Sequence, residues 1–124
     1  LKTESSERKV PLVGASLWAA TQAIKSFQVP YRRENKFLFP RYTKGGKCNA
    51  NSASAALNKW LKNYVEDGCV IHSFRHSMRD RLRAVECPSD VIDQLGGWSR
   101  SSVGENYGSG YPLEVLHKWL KLIE

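Results

Sequence analysis

The chain has 124 residues, 41% of them hydrophobic, with a formal net charge of +7 at pH 7 and a pI of about 9.5. That length suits one domain over residues 1–124, and the excess of basic residues favours a polyanionic partner, with nucleic acid first. No apolar run is long enough to span a bilayer, and three cysteines without CxxC spacing favour free thiols over a disulfide framework or a zinc site. No signal peptide is visible, so we expect a cytoplasmic protein.

The first predicted elements are a short strand and a helix. Residues 2–7 form a polar turn, and Arg8-Lys9-Val10-Pro11-Leu12 has the pattern of a short strand closed by proline. Residues 13–28 then carry apolar side chains at helical spacing, at Leu17, Ala20, Ile24 and Phe27. We expect this helix to pack its apolar face on the core.

Residues 29–50 are basic, with Glu34 as their one acid. Prolines at 30 and 40 and glycines at 45 and 46 interrupt regular structure, so the sequence predicts a long loop. Its cations alternate with aromatic residues, which suits phosphate contacts that position DNA without reading its sequence. A solvated loop held by the aromatic rings is the alternative. The candidate DNA-binding residues are Arg32, Arg33, Lys36, Arg41, Lys44 and Lys47.

Two helices are predicted next. The first is capped by Ser52 and ends by Gly68, and its buried stripe comprises Leu57, Trp60, Leu61 and Tyr64. The second covers residues 72–84 and has two stripes. Its apolar stripe, expected to dock on the core, comprises Phe74, Met78, Leu82 and Val85, and its basic stripe comprises His72, Arg75, His76, Arg79 and Arg83. Arginines so close together repel each other unless an anion is nearby, which makes Arg79 a further candidate DNA contact.

The chain is predicted to end in two more helices. A short one opens at Pro88 or Ser89, runs through Leu95 and is terminated by Gly96-Gly97. The last, over residues 112–123, starts at Pro112 and carries a large apolar surface for a terminal helix. Docking of that surface on its own domain and contact with a second chain are the two alternatives.

Three short elements stand in a fixed order: His72-Ser73-Phe74-Arg75-His76, then Leu95-Gly96-Gly97-Trp98-Ser99, then Tyr107. This pattern resembles the catalytic domain of the tyrosine recombinases, the phage-type integrases. That family carries His-x-x-Arg, a later Leu-Gly-His/Trp element, and a nucleophilic tyrosine nine residues beyond it, which is the distance from Trp98 to Tyr107. The resemblance implies a mainly α fold, here with a small N-terminal β-hairpin remnant, in a bacterial or phage-encoded protein.

The resemblance also implies roles for the site residues. Tyr107 would be the nucleophile, Arg75 the bidentate phosphate clamp, and His72 a base or donor at the same phosphate. Trp98 would offer one N–H to a phosphate oxygen, and it cannot shuttle a proton. Lys2, on the polar turn, would be the acid for the departing 5′-oxygen, with an ordinary solvated lysine as the alternative. Tyr111 is the rival nucleophile, and the spacing from Trp98 favours Tyr107.

The resemblance places a first catalytic arginine upstream of the lysine, so we expect the chain to be the C-terminal part of a longer catalytic domain. We expect no cofactor, because a phosphotyrosyl bond conserves the energy for resealing and the sequence has neither a GxxxxGK[ST] loop nor a convergent set of carboxylates. The expected partners are double-stranded DNA and other protomers, which the 112–123 helix would contact. Three functions remain open: site-specific strand exchange through Tyr107, DNA binding without turnover, and relaxation of DNA as in type IB topoisomerases.

Overall fold

The computed structural model of the chain describes residues 7–27, 37–98 and 110–124. Within these ranges the protein is mainly helical, as predicted, with one small antiparallel sheet. The helices are α1 (Gly14–Phe27), α2 (Ala50–Leu61), α3 (Ser73–Ala84), α4 (Ser89–Gly96) and α5 (Leu113–Lys121). A 3₁₀-helix at Pro40–Tyr42 precedes the strands β1 (Thr43–Lys44) and β2 (Lys47–Cys48).

The chain divides into two compact units. The first, here called the C-terminal unit, combines Leu1–Leu17 with Arg75–Glu124, and the second, the central unit, is Trp18–Phe74. The division into two compact units does not decide whether they form one domain, so the expectation of one domain over residues 1–124 stays a prediction.

The C-terminal unit is built on an apolar core in which α3, α4 and α5 meet. Its buried residues are Leu82 from α3, Cys87 from the following turn, Val91, Ile92 and Leu95 from α4, and Leu116 and Leu120 from α5. The buried residues of α4 and of α5 include pairs spaced three or four apart, and in α3 the partly buried Met78 lies four residues before Leu82. This spacing places them on one face of each helix and lets that face leave water. The Arg8 Nε also donates to the Leu95 carbonyl at 2.9 Å, which ties the segment before α1 to the end of α4.

The turn from α3 to α4 is a Schellman motif. Cys87 N–H donates to the Leu82 carbonyl at 3.0 Å and Glu86 N–H to the Arg83 carbonyl at 2.9 Å. Glu86 has the left-handed φ of 59° that this motif requires, a conformation usually taken by glycine. Because Leu82 and Cys87 both enter the core, the motif fixes the direction in which α4 leaves α3.

The central unit contains a β-hairpin where the sequence predicted a long loop. Thr43 pairs with Cys48 and Lys44 with Lys47, and the two-residue turn is Gly45-Gly46. Both glycines have positive φ, 58° and 75°, as a type I′ turn demands. The glycine pair was interpreted as a breaker, and it is instead what closes the hairpin.

Several predicted details of α1, α2 and α3 are wrong. Asn49, not Ser52, caps α2: its side chain accepts a 3.0 Å hydrogen bond from Ser52 N–H. The helix ends at Leu61 instead of reaching Gly68, and of its predicted stripe Leu61 alone is buried. Other side chains predicted to pack on the core are largely exposed, namely Leu17, Ile24, Leu57, Trp60, Tyr64 and Phe74.

The remaining boundaries are close to prediction. Pro112 is the N-cap of α5. Residues 8–12 form no strand, and in the described ranges the small sheet lies at 43–48 and not at the N-terminal hairpin expected. Helix α3 begins at Ser73, one residue after the predicted start, and the Ser73 hydroxyl accepts from Val70 N–H at 3.1 Å.

Candidate active site

Trp98 occupies a position fixed by the way α4 ends. Gly97 is left-handed at φ 64°, its N–H donates to the Gln94 carbonyl at 3.3 Å, and Trp98 N–H donates to the Asp93 carbonyl at 3.0 Å. These two bonds form a second Schellman motif, in which Gly97 is the αL residue and Trp98 the next one. The indole is therefore placed by backbone geometry at the end of a buried helix.

Gly96 has a different task from Gly97. A Cβ built on Gly96 would lie 1.7 Å from Cζ3 and 1.8 Å from Cε3 of Trp98, where no atom fits. The six-membered ring of Trp98 thus occupies the space that any other side chain at residue 96 would take. One glycine turns the backbone, and the other makes room for the ring.

Two arginines of α3 contact the Trp98 ring. The Arg75 Cζ lies 4.2 Å from the ring centroid and the Arg79 Cζ lies 4.8 Å from it. The residues are four apart on one helix, so they share a face and can reach one ring. Both distances are within the range of cation–π attraction, which adds to the burial of the guanidinium faces.

The two guanidiniums differ in their electrostatic partners. Arg79 Nη2 lies 3.9 Å from Asp93 Oδ1, and the Arg79 Nε is buried without a hydrogen-bond partner among the described residues. No acidic side chain in those same ranges forms an ion pair with Arg75. The charge of Arg79 is partly offset, whereas no described carboxylate offsets that of Arg75.

Tyr111, the rival nucleophile, is tied to α4 at three points. Gln94 accepts from Tyr111 N–H at 2.7 Å and donates to its carbonyl at 2.9 Å, while the Tyr111 hydroxyl donates to the Asp90 carboxylate. The ring is half-buried against the apolar core. A phenol held in this way suits a structural role better than attack on a phosphodiester.

Four predicted site residues of the central unit lie in exposed places: His72, Arg41, Lys44 and Lys47. His72 is in the turn directly before α3. Arg41 follows Pro40 in the 3₁₀-helix, and Lys44 and Lys47 flank the hairpin turn. Both lysines, with the first residues of α2, line a depression of about 400 Å³. The start of a helix and the ammonium group of a lysine both attract anions. The depression beside α2 is therefore suited to bind an anion.

Five of the predicted site residues lie outside the described residues: Lys2, Arg32, Arg33, Lys36 and Tyr107. Within residues 7–27, 37–98 and 110–124, no cluster of His, Cys, Asp and Glu could hold a metal ion. No helix of that part of the chain is long and apolar enough to cross a membrane.

All three cysteines are free thiols, as predicted, and they differ in their surroundings. Cys48 and Cys69 are exposed, while Cys87 is buried in the core. Burial, and to a lesser degree the nearby Asp90 carboxylate, raises the pKa of the Cys87 thiol to about 11. Cys87 is therefore a core residue that stays protonated at neutral pH, and it is not a nucleophile.

Sequence reasoning did not find the contact between the Trp98 ring and the two arginines, nor the anchoring of Tyr111. The four-residue spacing of Arg75 and Arg79 was visible, and so were two glycines directly before a tryptophan. These signals become specific once α3 and the end of α4 are known to be neighbours.

The chain is basic and mainly helical, and two of its arginines, Arg75 and Arg79, contact the ring of Trp98. These features belong to the class of proteins that bind polyanions. A family model described as the phage integrase family matches residues 1–111. The chain belongs to the phage integrase family, whose members act on DNA in multimeric complexes and carry out site-specific recombination. Comparison with curated proteins and with solved structures gave no match.

Proposed function

We propose that the protein cuts and rejoins DNA strands in site-specific recombination through a covalent 3′-phosphotyrosyl intermediate at Tyr107. The observation that carries this proposal is the state of Arg75. Its guanidinium is held against the Trp98 ring, and no described carboxylate neutralises it. A planar, permanently charged fork in that state is suited to bind two non-bridging oxygens of one phosphodiester.

The reaction needs three tasks from side chains: removal of the tyrosine proton, protonation of the departing 5′-oxygen, and stabilisation of the charge on the phosphoryl oxygens. The Tyr107 oxygen attacks phosphorus, its proton passes to His72 as base, and the bond from phosphorus to the 5′-oxygen breaks. Lys2 supplies a proton to the departing 5′-oxygen, and Arg75, with the indole N–H of Trp98, stabilises the charge on the phosphoryl oxygens. Attack of a 5′-hydroxyl on the phosphotyrosine reverses these steps and releases Tyr107, so resealing consumes no nucleotide.

Assignment of the attack to Tyr107 instead of Tyr111 is supported by two observations. Tyr107 has the nine-residue distance from Trp98 that the family pattern carries. Tyr111 is bound by Gln94 through its backbone and by Asp90 through its hydroxyl. Attack by Tyr111 would first have to break that hydroxyl contact.

The basic residues of the central unit are proposed to hold the DNA backbone. Lys44 and Lys47 on the hairpin, beside the first turn of α2, form a phosphate-binding surface, and Arg41 extends it. We propose that three further basic residues of the central unit also contact DNA phosphates, namely Arg32, Arg33 and Lys36. These contacts position the duplex and do not read its sequence.

Other protomers of the recombinase are the proposed protein partners, and the C-terminal helix is their proposed contact. Leu116 and Leu120 of α5 are buried in the core of their own unit, whereas Leu113 and Leu122 are exposed. Apolar side chains left in water at both ends of a helix are suited to pack against a second chain.

The test uses the full-length protein that contains this chain and a duplex with a nick beside the cleavage site, so that the cut strand diffuses away. We expect a DNA adduct that survives SDS, is lost in Tyr107→Phe and persists in the matched variant Tyr111→Phe. Absence of an adduct with the unaltered protein would refute the enzymatic function and leave DNA binding without turnover. Relaxation of plasmids that lack any specific site would instead favour the topoisomerase-like activity.

A further inference from the structure

We propose that Arg79 is a positioning residue for Arg75, acting through the Trp98 ring and held by Asp93. The inference rests on the proposed function in taking Arg75 as the phosphate clamp. It replaces the expectation that Arg79 itself contacts DNA. The arrangement is a chain of contacts: Asp93 to Arg79, Arg79 to the ring, and the ring to Arg75.

The charges of Arg75 and Arg79 are compensated unequally. Two guanidiniums on one ring repel each other, and the repulsion is relieved if one of them is neutralised. Asp93 lies 3.9 Å from Arg79 and offsets that charge, whereas no described acidic residue offsets Arg75. The site thus keeps positive charge for a phosphate, and Arg75 is the guanidinium that no described carboxylate offsets.

The Arg79 side chain is partly buried between its neighbours. Arg79 has a buried Nε without a described partner, so packing against its neighbours holds this side chain and hydrogen bonding of the Nε does not. To reach DNA, Arg79 would have to leave both the ring and Asp93. Where it lies, it restricts the ring on which Arg75 rests.

The orientation of the Trp98 ring is restricted by its surroundings. The Schellman motif at Gly97 fixes its attachment point, and Gly96 leaves a space that the six-membered ring fills. With the backbone on one side and two α3 side chains in contact, the ring has little freedom to turn. A positioned ring reduces the rotamers of Arg75 before DNA arrives, and preorganisation of this kind raises the rate of the chemical step.

The two roles for Arg79 predict different kinetics. A direct phosphate contact contributes to affinity and to its salt dependence, so its loss lowers the slope of log affinity against log salt by about one. A positioning residue leaves that slope unchanged and lowers the rate of cleavage in the bound complex. Single-turnover cleavage at saturating nicked duplex separates the two effects.

The experiment compares Arg79→Gln with Arg81→Gln, an exposed arginine of the same helix. For Arg79→Gln we expect cleavage at saturating DNA to fall roughly 10- to 100-fold with the salt slope unchanged. Arg81→Gln, which removes the same charge, should cleave at the unaltered rate. A slope lowered by about one with a normal cleavage rate for Arg79→Gln would overturn the proposal.

Three further variants guard against a general loss of structure. Asp93→Asn keeps both arginines and should slow cleavage at saturating DNA, whereas a direct-contact role predicts tighter DNA binding once Arg79 is released. Trp98→Phe keeps an aromatic face without the N–H and should retain more activity than Trp98→Leu. Equal loss in Trp98→Phe and Trp98→Leu would contradict action through the ring face.

A measurement without catalysis keeps this inference separate from the proposed function. In protein labelled with ¹⁵N-arginine, the Arg75 side-chain Nε–H resonance should show the upfield ring-current shift of a group over an indole. Arg79→Gln should move it toward the position of exposed arginines. An Arg75 resonance that Arg79→Gln leaves unmoved would overturn the inference, whether or not the protein forms a DNA adduct.

Discussion

The two units bury their side chains in different ways. The described part of the C-terminal unit has seven buried residues in one apolar cluster, drawn from three helices and one turn. In the described part of the central unit, Leu61 is the one fully buried apolar side chain, while Trp60 is 56% exposed and Tyr64 68%. The unit that carries Arg75 and Trp98 is thus built on a packed apolar core, whereas the basic hairpin belongs to a unit with little buried apolar surface in its described part. Under the proposed function, the first unit positions reacting groups and the second supplies positive charge to the DNA backbone.

Core substitution should affect the two units to different extents, and this is the largest effect we expect. Leu82→Ala removes a side chain with no exposed area and should lower the free energy of unfolding by about 2–5 kcal/mol. Leu57→Ala, at 41% exposure, should lower it by about 1 kcal/mol or less. Urea unfolding measures both, and equal losses would break the comparison.

Loss of the bidentate fork should come next in size. Arg75→Lys keeps a positive charge and loses the planar pair of donors, so cleavage at saturating DNA should fall on the order of 100-fold. The control is Arg81→Lys on the same helix, which should cleave normally. Near-normal cleavage by Arg75→Lys would show that a point charge suffices and would contradict the role of Arg75 as a bidentate clamp.

The hairpin should affect binding and leave chemistry intact. Substituting both Lys44 and Lys47 with glutamine should weaken DNA affinity about tenfold near physiological salt and lower the salt slope by about two. Cleavage at saturating DNA should stay unchanged. Lys59→Gln with Lys62→Gln removes the same charge from exposed positions on and beside α2. If that pair weakens binding equally, net charge and not the hairpin determines affinity.

The smallest effect concerns pH. Because burial raises the pKa of Cys87 to about 11, the folded protein keeps that proton to a higher pH than the unfolded chain does. This contribution to stability is present below pH 9 and is lost as the pH rises toward 11. Between those values Cys87→Ala should flatten the decline in unfolding free energy by on the order of 1 kcal/mol. A decline that Cys87→Ala leaves unchanged would contradict burial of this thiol as the cause.

Sequence reasoning succeeded where periodicity and punctuation agreed. Helices α3, α4 and α5 were predicted within a residue or two, because apolar spacing, Pro88, Pro112 and the Gly96-Gly97 pair all indicated the same boundaries. In the central unit those signals conflicted. Gly45-Gly46 is a breaker in one context and a type I′ turn in another, and the choice depends on strand pairing that four residues hardly reveal.

The sequence named candidate site residues, which stay predictions, and it did not reveal the contacts among them. Arg75 and Trp98 were identified as partners at one phosphate, and the direct contact between them was not foreseen. That contact depends on how α3 packs beside the end of α4, which no local pattern encodes. The same holds for Tyr111, whose anchoring by Gln94 links residues 17 apart in the chain.

The account is tested most directly by locating the DNA-linked residue. The trapped adduct of the full-length protein would be trimmed with nuclease, digested with protease and sequenced by mass spectrometry. We predict a nucleotide on the phenolic oxygen of Tyr107. A nucleotide on Tyr111, or on any residue of the central unit, would contradict the account.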